Sequence, residues 1–165
     1  MALARPISIS MQAQILRDSL AAWAEPLGGK AVVVSNLREL WETATLNSQS
    51  PRVLICYGGS KPRGGFTVAN ALHREDREWV VAFTRGRGYN ANRGDSLTEG
   101  GAIDPFYDLL EQLRDFIRNI QNISEETPTV DYSGIKPMQM GSLVVDGYQI
   151  TFTTANDTPK APYIP

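Results

Sequence analysis

The chain has 165 residues, 42% of them hydrophobic and 21% charged, with a formal net charge of −2 at pH 7. This length and composition predict one globular domain with a single core and give no sign of a disordered or fibrous protein. The slight acidic excess argues against a dedicated nucleic-acid binder, which normally carries a basic face. No apolar run reaches the ~18–20 residues of a membrane span, and the N-terminus lacks the order of a signal peptide, so we expect synthesis in a cytoplasm.

Helical and extended patterns alternate at the start of the chain. Apolar residues recur at helical spacing over residues 10–24, and Pro26 predicts the end of this helix. The β-branched run 30–34 predicts a strand. Asn36, followed three residues later by Glu39, resembles a capping box and predicts a second, short helix.

The middle of the chain predicts two strands and the clearest helix. Apolar residues indicate strands over 52–57 and 78–84, and glycine and proline indicate a loop over 58–65 between them. The segment 71–77, which holds the single histidine, is charged and predicts a loop or a frayed helix. A long helix is predicted from Asp104, because an N-cap residue and a proline precede helically spaced apolar residues over four turns.

The pattern changes to period two in the last quarter of the chain. Alternation over residues 148–153 predicts a strand with one buried and one solvated face. The dipeptide Asp146-Gly147 is typical of a hairpin turn, and a longer strand bent at Gly141 is equally compatible with the sequence.

The order of the predicted elements indicates the fold class. Strands that follow one another without an intervening helix favour an antiparallel α+β protein over a doubly wound parallel sheet. The prolines of residues 158–165 predict an extended segment, because proline lacks the N–H donor that a sheet needs. We expect one α+β domain over residues 1–157 and an extended C-terminal arm over 158–165.

Side chains suited to catalysis are scarce. With His73 as the one histidine and Cys56 as the one cysteine, the chain cannot supply a thiolate-and-imidazole zinc site unless subunits share it, and a catalytic triad would depend on His73 alone. Cys56 lies in the apolar run 53–57 and is expected to be a small buried hydrophobe. The carboxylate pairs Glu75-Asp76 and Glu125-Glu126 are expected in solvated turns. We therefore expect no catalytic residue, no metal and no cofactor.

The connection over residues 84–101 has no core pattern. Its glycines imitate a dinucleotide-binding loop from Gly86 to Ala91, but the next helix begins too far away, at Asp104, for its N-terminus to hold a phosphate. The adhesion tripeptide Arg93-Gly94-Asp95 is short enough to arise by chance. A connection this long is either functional or a solvated loop, and its arginines and tyrosine are side-chain types enriched at protein interfaces.

The two closing strands carry a resemblance to a known family. Residues 130–140 are Val-Asp-Tyr-Ser-Gly-Ile-Lys-Pro-Met-Gln-Met, and residues 144–154 are Val-Val-Asp-Gly-Tyr-Gln-Ile-Thr-Phe-Thr-Thr. With the N-terminal amphipathic helix, the long loop and the long helix, they give residues 10–155 a layout that resembles bacteriophage tail terminator or tail-completion proteins. The resemblance implies a tail-terminator-like α+β fold, with a mainly antiparallel sheet and the helices packed on one face.

The resemblance implies a structural role and no enzymatic activity. Such a subunit assembles with itself as a hexameric ring on the last ring of tail tube protein, stops tube growth and presents a surface to the head-tail connector or stopper protein. DNA passes through the lumen without specific binding, and no membrane is involved. The implied location is the tail or neck of the virion, after assembly in the host cytoplasm.

The resemblance also implies that projecting loops contact the tube or the neighbouring subunit. Carried onto this sequence, the candidate interface residues are Arg85, Arg87, Tyr89, Asn90, Asn92, Arg93 and Asp95 in the long loop, with Lys61 and Arg63 in the shorter one. Three alternatives stay open. They are a head-completion or stopper protein of the connector, a small nucleotide-binding enzyme that uses the two loops, and an adaptor module that forms no ring.

Overall fold

The computed structural model of the chain describes residues 7–45, 51–63, 72–84, 106–140 and 143–159. Within these ranges the elements follow the predicted order, with one additional turn of 3-10 helix, Glu25–Leu27, after the first helix. The helices are α1 (Ile9–Ala24), α2 (Leu37–Thr45) and α3 (Phe106–Asn119). The strands are β1 (Lys30–Val34), β2 (Arg52–Pro62), β3 (Leu72–Thr84), β4 (Thr129–Met140) and β5 (Leu143–Pro159).

The described strands form one five-stranded sheet in the order β1-β2-β3-β5-β4. β1 is parallel to β2, whereas the β2–β3, β3–β5 and β4–β5 pairs are antiparallel. The α+β class and the mainly antiparallel sheet are therefore confirmed. The parallel pair makes the sheet mixed, because α2 carries the chain from the end of β1 back to the start of β2.

The first two helices begin and end where short-range chemistry predicts. The side-chain oxygen of Ser8 accepts a hydrogen bond from the N–H of Met11 and caps α1. After the 3-10 turn, Gly28 adopts a left-handed φ of 70°, which turns the chain into β1. At α2, the Asn36 side chain accepts from the Glu39 N–H at 2.9 Å, as a capping box requires, but Glu39 accepts from Ser35 at 2.5 Å rather than from Asn36.

The core has two parts, one on each face of the sheet. The larger cluster joins α1 and α3 to one face and includes Leu16, Leu113, Trp79, Phe83 and Phe152. The smaller cluster joins α2 to the other face and includes Leu40, Ala44, Leu54, Cys56, Val80, Ala82 and Met138. The expectation that the helices pack on one face is therefore wrong. α2 is the crossover of the parallel pair, and its apolar stripe covers the face that α1 and α3 leave open.

The β2–β3 hairpin is longer than the sequence predicts. Residues 58–62, predicted as loop, continue β2, and His73, predicted in a loop or frayed helix, lies in β3 opposite Thr158. Backbone pairing on both sides of β3 supplies the hydrogen bonds, so the strands need no apolar side chains here. The pairing register of β2 with β3 shifts by one residue between Tyr57 and Gly59, as in a β-bulge, and Gly59 has a positive φ of 118° there.

The C-terminal strands decide between the two turns left open by the sequence. Gly147 lies within β5, opposite Thr84, so Asp146-Gly147 is not the turn. β5 begins at Leu143 and pairs with β4, which ends at Met140, and Gly141 lies outside the described residues. A Cβ atom at Gly147 would lie 2.8 Å from the Phe83 carbonyl oxygen, which explains the glycine by close backbone approach. Thr158 and Pro159, which were predicted to lie outside the sheet, continue β5 and pair with β3. The rest of the predicted arm lies outside the described residues. None of the described helices is long and apolar enough to span a membrane.

Candidate functional site

β2 and β3 continue beyond the hydrophobic core as a charged hairpin. Residues 74–78 of β3 are Arg-Glu-Asp-Arg-Glu, and they stay in register with β2 from Gly59 opposite Glu78 to Pro62 opposite Glu75. At about 3.4 Å per residue, these five positions of β3 span about 17 Å of strand. We call residues 58–63 and 74–78 the polar extension of the sheet.

One face of the polar extension is closed by a buried hydrogen-bond network. Arg77, which is 3% exposed, donates to the Gln12 side chain at 3.2 Å and to the Ile7 carbonyl at 3.0 Å. Its Nε atom lies 2.6 Å from a Glu75 carboxylate oxygen. The network therefore ties the N-terminal end of α1 to β3 and neutralises a buried guanidinium.

The same network continues to β5. The Gln12 amide donates to the Ile123 carbonyl at 2.7 Å and to the Thr154 hydroxyl at 2.8 Å. Asn156 accepts from Thr154 at 2.7 Å and donates to Ile123 at 2.9 Å. Because these buried groups satisfy one another, the network is structural and leaves no polar group to hold a ligand.

A second charged cluster lies at the outer end of the polar extension. The Arg63 guanidinium lies 3.1 Å from Asp76 and 2.9 Å from Glu126. Arg74 lies 3.2 Å from the same Glu126 and 3.1 Å from Asp157. We call these five residues the charge clamp. The hydrogen bond from Arg63 holds the pKa of the Glu126 carboxyl below its usual range. The clamp joins the hairpin to β5 and to the turn before β4.

The other face of the polar extension forms an open cleft of about 430 Å³. It lies on the face that α2 covers elsewhere, and it is lined by Gly58, Gly59, Ser60, Lys61, Asp76, Glu78, Asp131 and Thr153. Three carboxylates and one ammonium give this cleft an acidic character, which disfavours a phosphate ligand. Within the described ranges, no three histidine, cysteine or acidic side chains are placed to hold a metal ion.

The structure places the cysteine and the two acidic pairs that the sequence singled out. Cys56 is fully buried beneath α2, as predicted for a small hydrophobe. Burial raises the pKa of its thiol, and the Glu39 carboxylate adds to the shift, so the thiolate is disfavoured. Glu75-Asp76 was expected in a solvated turn, but both residues lie in β3. Glu125-Glu126 lies in the turn before β4, as expected, and the exposed Glu126 belongs to the charge clamp.

Two of the predicted interface residues are described, and both lie at the tip of the polar extension. Lys61 is exposed, and no ion pair joins it to another of the described residues. Arg63 is exposed but engaged in the charge clamp. The other seven, Arg85, Arg87, Tyr89, Asn90, Asn92, Arg93 and Asp95, lie outside the described residues. Sequence reasoning missed Gln12, although a polar residue four positions before Leu16 on the buried stripe was a usable signal.

The open edges of the sheet are the remaining candidate surfaces. β1 has no further strand beside it in the described part of the chain, and Val32 and Val33 are 41% and 38% exposed. β4 forms the opposite edge and contains Pro137 and two register irregularities. Comparison with protein-family models and with curated proteins finds no match to this chain.

Proposed function

We propose that the protein is a structural virion subunit that assembles as a ring, caps the bacteriophage tail tube and joins it to the head-neck complex. The polar extension is the observation that carries this proposal. Five consecutive charged residues of β3 stay in register with both β2 and β5, beyond the hydrophobic clusters of the sheet. A tail-terminator-like fold, with loops reaching from the sheet, is part of the same proposal.

The polar extension suits contact with a neighbouring subunit because it is both polar and rigid. Backbone pairing with β2 and β5 fixes β3, and the charge clamp holds the outer end of the hairpin against Glu126 and Asp157. A preordered surface loses little conformational entropy when it binds. Lys61 at its tip is exposed and can meet a carboxylate of the next subunit.

The partners follow from the ring. We propose that the subunit contacts copies of itself in a hexamer, the tail tube protein on one side and the head-tail connector or stopper protein on the other. A chain with a net charge of −2 attracts DNA weakly, which suits passage of DNA through a lumen. A stopper protein of the connector shares these features and is the closest alternative.

A small nucleotide-binding enzyme is the alternative from a different class. The acidic cleft and the buried Cys56 thiol weigh against it, since a nucleotide brings negative charge and a nucleophile needs an accessible thiolate. A thermal-shift screen against nucleotides with and without magnesium tests it. A ligand at a hundred times its dissociation constant stabilises by ~2.7 kcal/mol, and we expect no shift.

The ring proposal is tested by binding to purified tail tubes and, separately, to purified connectors. We expect Lys61→Glu, and the triple replacement of Arg85, Arg87 and Arg93 by alanine, to lower tube retention by about tenfold, the loss of roughly 1.4 kcal/mol. The melting temperature should stay nearly unchanged, because these residues are predicted to contribute to assembly rather than folding.

The matched control is Lys136→Glu, an equal charge reversal at an exposed lysine of β4, which should leave tube retention intact. Retention by connectors but not by tubes would favour the stopper. Loss of folding in the triple variant would contradict the assembly role of the arginines, and unchanged binding in every variant would contradict the proposed surface.

A further inference from the structure

We infer that the outer edge of β1, which no other described strand pairs, pairs with β1 of a second copy of this chain, antiparallel and about a two-fold axis at Val32. The inference concerns the protein in solution and goes beyond the proposed ring. A protein that fails to bind tail tubes would still pair in this way.

The hydrogen bonds of β1 show which backbone groups are directed away from β2. The N–H of Lys30 donates to the Pro51 carbonyl at 3.2 Å, and Lys30 stands opposite Arg52 in a parallel register. In a parallel ladder, alternate residues direct both backbone groups to the same neighbour. Lys30, Val32 and Val34 therefore face β2, whereas Ala31 and Val33 direct their N–H and C=O groups to the outer edge.

These outward groups are self-complementary. When two copies of β1 lie antiparallel with Val32 opposite Val32, Ala31 of each copy stands opposite Val33 of the other. Both members of each such pair carry outward groups, so each pair exchanges two hydrogen bonds, as the antiparallel pattern requires. The central Val32 pair then falls at a non-hydrogen-bonded position, where the two side chains are closest.

The side chains of the edge favour the same partner. Among the described residues, five large hydrophobic side chains are exposed, and two of them, Val32 and Val33, belong to β1. β-branched residues pair well across strands, and pairing removes their apolar surface from water. Lys30 of each copy stands opposite Val34 of the other, so the two ammonium groups lie at opposite ends and do not repel.

β4 of a second copy is a poorer occupant for this edge. Its register is irregular between Val130 and Ile135 and again between Pro137 and Gln139, and Pro137 has no N–H to donate. A charged peptide is also disfavoured, because residues 31–34 of β1 carry no charge that would attract one. The second copy of β1 satisfies both the hydrogen bonds and the apolar surface.

The first test measures mass and its concentration dependence by sedimentation equilibrium. We expect the full chain to reach twice its 18.2 kDa monomer mass as concentration rises. Val32→Lys places like charges directly opposite each other and should raise the dimer dissociation constant at least about tenfold. Leu37→Lys, at an equally exposed leucine in α2, should change it less than about twofold. A wild-type protein that stays monomeric at all concentrations, or that dimerises unchanged with Val32→Lys, would overturn the inference.

The second test reads the register directly. In a Cys56→Ala background, Val32→Cys should form a disulfide-linked dimer on mild oxidation, because the two introduced thiols face each other across the axis. Lys30→Cys should cross-link far less, since it stands opposite Val34. Equal cross-linking at both positions would overturn the proposed register. A ring-sized mass without cross-linking at position 32 would also overturn the pairing, while leaving the proposed ring intact.

Discussion

The two edges of the sheet differ in how they meet solvent. β1 has five residues, four of them apolar, and leaves Val32 and Val33 well exposed. β4 has twelve residues, but it is interrupted by irregular register and carries exposed Lys136 and Pro137. Irregularity, charge and proline are the devices by which proteins prevent edge-to-edge association. The difference indicates that β4 resists pairing with a further strand, whereas β1 is suited to pair with one.

The largest expected change in stability comes from removing a buried side chain of α2, the helix that packs beside the β1 edge. Leu40 in α2 is fully buried beneath the β1–β2 side of the sheet, and Leu40→Ala should lower the free energy of unfolding by about 2–5 kcal/mol. Urea denaturation measures the loss. Amide exchange should rise most in β1, because α2 is the crossover that connects β1 to β2.

Leu113→Ala is the matched control for this loss. Leu113 is an equally buried leucine in α3, on the opposite face of the sheet, and should cost a similar free energy of unfolding. Its effect on β1 exchange should be smaller than that of Leu40→Ala. Equal increases in β1 exchange would mean that α2 gives the β1 edge no separate support.

A smaller effect is expected from removing the protection of β4. Pro137→Val restores a backbone N–H and a β-branched side chain at an exposed edge position, so the variant should self-associate more than the wild type. Light scattering against concentration would measure this, with Lys136→Gln as a comparison that removes charge and keeps the proline. If Pro137→Val is as soluble and as monodisperse as the wild type, proline is not what protects this edge.

The smallest effect concerns the charge clamp, which lies between the two edges. Because the pKa of Glu126 is lowered in the folded protein, its contribution is present above its unfolded pKa and is lost as the pH falls through the lower folded value. The unfolding free energy of Glu126→Gln should therefore fall less steeply than that of the wild type on acidification. Urea titrations below pH 5 would measure the difference.

Added salt should reduce the wild-type contribution of the clamp, because its members are exposed and screened. The rates of amide hydrogen exchange in β1 and β4 should be the same in Glu126→Gln as in the wild type, since neither strand contributes a residue to the charge clamp. Parallel pH profiles for the two proteins would show that the clamp does not contribute to stability.

Local sequence patterns predicted the helices and strands whose residue types alone indicate their secondary structure. The apolar stripe of α1 and the β-branched run of β1 fall where the sequence placed them, because amphipathic spacing and β-branched side chains are both local signals. The charged part of β3 could not be predicted in this way. Its residues 74–78 are held by backbone bonds to two neighbouring strands, which leave no apolar pattern in the sequence.

Contacts between distant segments were likewise beyond the sequence. The face of the sheet that α2 covers depends on the parallel pairing of β1 with β2, and the sequence of α2 does not predict that pairing. Of the candidate site, only Lys61 and Arg63 are described, and the partners of Arg63 come from β3 and from the turn at Glu126. The position of Gln12 on a buried stripe indicates that its side chain makes a polar contact, but it does not identify the partners.

The Gln12–Thr154 hydrogen bond has a consequence for biosynthesis, because 142 positions separate its two residues. A ribosome makes α1 and β1 early, yet the groups that satisfy Gln12 emerge only when nearly the whole chain has been translated. Contacts of such long range form late and slow the folding of the chain that depends on them. The N-terminal helix therefore cannot complete its buried contacts until β5, the last described strand, has been synthesised.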